Sequence, residues 1–218
     1  MSLALLFKDE LDGFYRSKVM VVLWIGLPIL GILFYFLQPD TEGIPLSSFI
    51  ALIVATLGGT IASAMLVVTI INEKERKVYD LFVIRPIHRR DLLLAKFLAV
   101  FLCVVVAALF SIALGLAVDI IKSGQLPSQI YQSLWDSFLL IVSMVSVSCA
   151  ASVLIGVAVP SVLIGVIGVI YGSNQLAALV VLPQLFGLGS NMLAIGLAAL
   201  ITAILLVAGI VLFERKQL

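Results

Sequence analysis

The side chains able to pair charges or move protons are concentrated in one stretch of this chain. Residues 72–96 read Asn-Glu-Lys-Glu-Arg-Lys-Val-Tyr-Asp-Leu-Phe-Val-Ile-Arg-Pro-Ile-His-Arg-Arg-Asp-Leu-Leu-Leu-Ala-Lys and hold seven of the thirteen Lys and Arg. Glu73 and Glu75 lie near Arg76, Arg89 and Arg90, a pattern for ion pairing that holds the segment to the start of the next apolar run. Val78, Leu81 and Phe82 recur at i, i+3, i+4, so on a helix they share one apolar face with Lys77 and Asp80 turned away. Pro86 ends that helix, because the residue before proline is driven out of helical geometry. Such a face suits either an interfacial anchor or a groove on a partner protein.

Catalytic chemistry has little to work with. The single His88 lies in the charged stretch and reads as a solvated loop residue rather than a pH sensor. Cys103 and Cys149 both sit in apolar runs and read as packing residues, so neither a disulfide nor a metal site is expected. The phosphate-binding pattern GxxxxGK[ST] is absent, so nucleotide hydrolysis by that route is excluded for this chain. The net charge of +1 gives no reason to expect a nucleic-acid partner.

The elements that carry this stretch are apolar. The chain has 218 residues, 63% hydrophobic and 11% charged. Soluble domains average about 45–50% apolar and about 25% charged, so lipid must be the solvent for much of this surface. Six runs are long enough to span a bilayer: 19–37, 49–71, 97–118, 137–159, 162–182 and 192–213. None contains Asp, Glu, Lys, Arg or His, which argues against an ion-coupled carrier, a membrane protease and a metal enzyme. Ahead of them, residues 1–18 lack the uninterrupted apolar core of a signal peptide. Leu3, Leu6, Phe7, Leu11 and Phe14 instead recur at helical spacing opposite Lys8, Asp9, Asp12 and Arg16, which predicts an amphipathic helix in the interface. The fold expected is an all-α integral membrane protein, a single transmembrane domain over residues 1–218. It has six transmembrane helices, an N-terminal interfacial helix and a charged segment between spans two and three.

Several positions inside the spans stand out. Gly26, Pro28 and Gly31 predict a bent first span, and Gly58, Gly59, Ala62 and Ser63 a close helix contact. Ser148 and Ser152 share a face of span four, where they either bond to backbone, the default for serine in a helix, or line a polar seam. Pro160-Ser161 marks a tight turn. Gly168 and Gly172 have GxxxG spacing, and Tyr171-Gly172-Ser173-Asn174-Gln175 interrupts span five. Asn174 and Gln175 are costly in hydrocarbon unless they face protein, another helix or a watery path.

The order of features resembles the membrane subunits of type-2 ABC exporters. Glu73-Lys74-Glu75-Arg76, Leu81, Pro86, Arg89-Arg90-Asp91 and Lys96 match, in order, the family's segment between spans two and three. Where the family often has Gly-Thr after the charge cluster, this chain has Lys77-Val78. The resemblance implies that residues 72–96 contain a coupling helix docking on a separate P-loop ATPase subunit, where ATP and Mg would be bound. Glu73, Glu75, Val78, Leu81, Phe82, Arg89 and Arg90 would carry that coupling. It also implies two membrane subunits, here a homodimer, with the pathway between them, for which Pro28, Gly168, Gly172, Ser173, Asn174 and Gln175 are the candidates, and a short hairpin between spans five and six that residues 176–190 could form. Short outer loops favour export. A haem-export membrane subunit and a non-transporting scaffold remain as other readings.

Orientation is set by charge. Twelve of the thirteen Lys and Arg lie in the N-terminal helix, the 72–96 stretch and the tail, leaving only Lys122 for the opposite side. Both termini and the charged stretch are then cytoplasmic in the cell membrane. Cysteines introduced at Ser2, His88 and Gln217 should resist a membrane-impermeant maleimide added to intact cells and react after lysis. Labelling of any one from outside would break the six-span topology.

Overall fold

The computed structural model describes residues 3–37, 53–76, 89–123, 130–185 and 191–215. Among them every regular element is helical, in keeping with a solvent that cannot satisfy open strand edges. Helix α1 is Leu3–Tyr15 and α2 is Lys18–Leu37. Helix α3 comprises a π turn, Val54–Gly58, continued by Gly59–Glu75. Helix α4 is Arg89–Ser123 and α5 is Ile130–Ala158. Helix α6 comprises Val162–Gly168, a π turn Val169–Ser173, and Asn174–Leu185. Helix α7 is Asn191–Arg215. Five of these, α3 to α7, are long and apolar enough to cross a membrane. At the N-terminus, α1 and the first part of α2 form a pair bent by 66°.

Sequence sets the breaks between elements. The α1–α2 bend falls at Arg16 and Ser17, where Ser17 Oγ accepts a hydrogen bond from the Met20 amide at 3.2 Å. That is an N-cap on the third residue of α2. Pro28 lies inside a continuous α2 and not at a break. Pro160 stops α5, and Ser161 restarts the chain in extended geometry at φ −115°, ψ 135°. The tight turn expected at 160–161 is therefore present.

Other boundaries move outward from the apolar runs. Asn72–Glu75 continues α3 and Arg89–Lys96 already belongs to α4, so the ends of the charged stretch are helical extensions of the two spans. No glycine or proline interrupts either extension, and polar side chains there are solvated or paired. Likewise α4 runs beyond Val118 to Ser123, and α5 begins at Ile130 rather than Ser137. In α6 the Tyr171–Gln175 cluster does not break the helix but coincides with its π turn, and the helix continues to Leu185. Residues 176–185 thus prolong the span instead of turning back; the rest of the expected hairpin lies outside the described residues.

Helix α5 is the centre of the bundle: 61% of its most apolar stretch is buried, against 11% for α7 at the rim. It packs most extensively on α7 and α3, and also on α4 and α6. Ile141, Val145, Cys149, Val153 and Val157 of α5 share one core with Ala62, Leu66 and Ile70 of α3 and Val100, Val104 and Ala107 of α4. Leu23 and Leu27 of α2 and Phe14 of α1 complete it. Outward positions such as Leu163, Ile164, Ile204 and Val207 are apolar and exposed, the inverse of a soluble surface and suited to lipid.

Small residues let the helices approach closely. The tightest approach is at Gly165, where a side-chain carbon would lie 2.6 Å from Val67 Cγ1 and 2.7 Å from Ile71 Cδ1. Replacing Gly165 with Ala should therefore force α6 off α3 and cost about 1–3 kcal/mol, the usual range for overpacking. The same substitution at Gly196, which faces open space, should be tolerated. Thermal unfolding in detergent measures the pair, and equal midpoints would contradict the packing described.

Candidate functional site

The only fully buried charge among the described residues is Lys96, 1% exposed, eight residues into α4. Its ammonium donates to Glu10 Oε1 at 2.6 Å and to Glu73 Oε1 at 2.7 Å. The three residues come from α1, α3 and α4, and each continues the buried stripe of its own helix. On α4, Leu92, Lys96, Ala99, Val100 and Cys103 line up. On α3, Leu66 and Ile70 lead to Glu73. On α1, Glu10 lies on the same face as Leu3, Phe7 and Phe14, in the middle of the apolar side. The packing that closes the bundle therefore brings the three charges together.

Electrostatics make this cluster expensive to disturb. A buried ammonium is stable only when paired and hydrogen-bonded. Two carboxylates on one ammonium leave a net negative charge, with both carboxylates about three-quarters shielded from solvent. Burial pushes the Glu10 carboxyl above its ordinary range; Lys96 opposes that shift, while Glu73 and Asp9 add to it by repulsion.

Next in the chain, Lys74 turns the other way. Its Nζ donates to the carbonyl oxygen of Val157 at 3.2 Å, in the last turn of α5. A cation there meets the negative end of the helix dipole and a carbonyl that the ending helix leaves available. Two consecutive residues, Glu73 and Lys74, thus fasten the end of α3 to α1, α4 and α5. Aromatic contacts reinforce the junction of α1, α2 and α4. Trp24 lies 5.8 Å from Tyr15, edge to face, and 5.9 Å from Phe110, centroid to centroid.

The structure brings some of the sequence-predicted site residues together and separates others. Glu73 does hold α3 to the start of α4, but through Lys96 rather than the arginines. Glu75 is exposed, and so is Arg90, 3.9 Å from Asp91; Arg89 opens α4. Val78, Leu81, Phe82, Pro86 and His88 lie outside the described residues.

The pathway candidates are spread over two helices. Pro28 is half-buried in α2. Gly168 and Gly172 both face Ile155 of α5 in the same chain, with side-chain carbons placed there meeting it at 3.5 and 3.9 Å. Ser173 donates to the Val169 carbonyl at 2.6 Å and Asn174 to that of Ile170 at 3.3 Å, so both side chains bond back to carbonyls of the π turn. Ser152 does the same with Cys149 at 2.6 Å, as its position in span four suggested. Gln175 is exposed.

Spacing arguments on the 72–96 stretch give Lys74 and Lys96 no partner and do not reach Glu10 at all. A signal for Glu10 is nonetheless present: a carboxylate in the middle of an apolar helical stripe demands a counter-charge.

The described residues form an all-α bundle with five helices long and apolar enough to cross a membrane, fastened at one end by the ion pairs of Lys96. The family model described as ABC-2 family transporter protein matches residues 40–183, and the chain belongs to that family. Its members are membrane transport components rather than the ATP-hydrolysing subunits. A comparison with curated proteins gave no match. The matched region holds Glu73, Lys74 and Lys96, while Glu10 lies ahead of it.

The triad makes an asymmetric prediction. Lys96→Met should leave two shielded carboxylates facing each other and cost about 3–5 kcal/mol. Glu10→Gln keeps a hydrogen-bond acceptor and should be far milder. Because the folded-state pKa of Glu10 is raised, its stabilising contribution is fully present below the ordinary value of 4.5 and is lost as pH rises through the raised value. The Tm difference between wild type and Glu10→Gln should therefore shift against wild type as pH rises from below 4.5 to neutrality. A difference that does not change with pH would show that Glu10 titrates like a free carboxylate.

Proposed function

We propose that this chain is the permease subunit of an ATP-driven exporter. Six spans, with α2 as the first, form one half of a translocation pathway completed by a second copy. Both termini and the charged stretch face the cytoplasm of the cell, and the energy comes from a separate P-loop ATPase that binds ATP and Mg. The observation that supports this most directly is the fastening of α3 to α1, α4 and α5 by Glu73 and Lys74. Residues 77–88 connect α3 to α4 in the chain. A push delivered there reaches both helices at a point where they are joined to each other and to the centre of the bundle. A charged loop with no mechanical role has no need of such a foundation.

In this reading Val78, Leu81 and Phe82 form the face that fills a groove on the ATPase, with Glu75, Arg89 and Arg90 as its charged surround. Glu73 belongs to the transmission rather than to the contact. Pro28 and the segment Gly168–Gln175 are assigned to the pathway and the contact between copies. The inward packing of Gly168 and Gly172 on Ile155 leaves Ile167, Ile170 and Tyr171 of α6 facing outward, available for that contact.

Leu81→Asp and Phe82→Asp test the docking. A truncated apolar anchor loses ~2 kcal/mol or more of binding, so each variant should fail to copurify the ATPase while its own fold and expression persist. Glu73→Gln should still copurify the ATPase, yet hydrolysis in reconstituted vesicles should no longer drive transport. Normal copurification and transport by both Asp variants would reduce the segment to an interfacial anchor.

A further inference from the structure

Helix α3 is held unequally by its neighbours. It packs on α5 and α6 more than on α4, while α4 packs on α1, α2 and α5 more than on α3. The closest approaches agree. A side-chain carbon placed at Gly156 of α5 would lie 3.1 Å from Ile70 Cβ, and one at Gly165 of α6 would lie 2.6 Å from Val67 Cγ1. Lys74 adds its hydrogen bond to the Val157 carbonyl. Helix α1, for its part, rests mainly on α4. At the charged end, then, α3 goes with α5 and α6, and α1 goes with α4. Between them lies a seam. The Glu73–Lys96 ion pair crosses it, while the Glu10–Lys96 pair stays on one side. The two helices that border the seam, α3 and α4, are also the two that residues 77–88 connect.

We infer that Glu10 is the standing partner of Lys96 and Glu73 its exchangeable one, so that α3 can part from α4 at the charged end while the ammonium stays paired. One carboxylate is enough to neutralise one ammonium, and Lys96 has two. With a single partner, on α3, parting would strip bare an ammonium that is 1% exposed, the condition that buried charges tolerate least. With Glu10 in place, departure of Glu73 leaves a neutral pair and relieves the repulsion between two carboxylates. Glu73 does not become a buried charge either. It lies in the last turn of α3 and its side chain is already a quarter exposed, within reach of water. Helix α5 supports both α3 and α4, so their ends can part without either helix leaving the bundle. Glu10 is thus a positioning residue that acts on the seam through Lys96. The use of this seam by an ATPase depends on the coupling role proposed above for residues 77–88; its opening does not.

Paired spin labels on the full chain in nanodiscs, with no ATPase present, measure the seam. With Cys103 and Cys149 replaced by alanine, cysteines at Asn72 of α3 and Leu98 of α4, both exposed positions, report across it. Cysteines at Asn72 and at the exposed Ile164 report α3 against α6. Excess unlabelled chain removes signals between copies. Glu73→Gln should raise the separated population of the 72–98 pair about tenfold or more, the usual worth of a hydrogen bond to a charged group, and leave the 72–164 pair unmoved. Glu10→Gln should keep the 72–98 pair short, because Lys96 then depends on Glu73 alone. Glu73→Asp, with its carboxylate one methylene further back, should fall between wild type and Glu73→Gln, and takes its place if that variant misfolds. A merely structural tie would lower Tm in both Gln variants with no difference between their distances. That result would overturn the inference, as would widening by Glu10→Gln or a 72–164 pair that moves as far as the 72–98 pair. Should the seam widen as expected while Leu81→Asp and Phe82→Asp still bind the ATPase and transport, the seam stands and the coupling role falls.

Discussion

A single ammonium group buried at the foot of α4 determines how the charged end of this bundle is built. Lys96 cannot stay folded inside the protein without partners, and it takes them from the two neighbouring helices rather than from water. Once Glu10 and Glu73 are committed to it, the positions of α1 and α3 relative to α4 are fixed at their ends. Lys74 then extends the same fixation to α5. An arrangement of this kind adds little net stability compared with apolar residues, while loss of one partner leaves an uncompensated buried charge.

The rest of the bundle is held by a different force. In lipid, apolar helices gain nothing by hiding from solvent, so their association relies on close packing. That explains why the tightest contacts are made by Gly165 on Val67 and Ile71, and by Gly156 on Ile70. It also explains why serine hydroxyls point back to carbonyls in their own helices, as at Ser111, Ser152 and Ser173. The polar anchor sits at one end and the small-residue contacts run along the shafts.

Unbroken apolar runs of about twenty residues have few alternatives to a helix, which is why the spans are legible in the residues alone. The N-terminal amphipathic helix, the turn at Pro160 and the role of Glu73 as a tether to the next helix are readable for the same reason, each resting on one local rule. Helix ends read too short, since hydropathy marks where lipid begins, whereas α3, α4 and α5 continue as helices beyond it. The π turns at Val54–Gly58 and Val169–Ser173 leave no pattern in residue type that distinguishes them from α-helix, though a polar cluster marks the second. A spacing motif points to Gly168 and Gly172 and passes over Gly165, because it identifies a pair of glycines, not the helix that meets them. The partner of Lys96 on α1 is the costliest omission. Glu10 escapes a reading that pairs charges by nearness in sequence, although its place in the apolar stripe sets it apart from Asp9 and Asp12.

The two ion pairs of Lys96 also impose an order on synthesis. Glu10 lies 86 positions before Lys96, and Glu73 lies 23 before it. During N-to-C-terminal growth, α1, α2 and α3 all emerge before the residue that joins them. Until then Glu10 lacks the counter-charge that joins α1 to α4. In chain order, both carboxylates therefore precede the ammonium that joins them, and all three precede α5, the central helix. The nascent chain thus acquires its charged foundation ahead of its core.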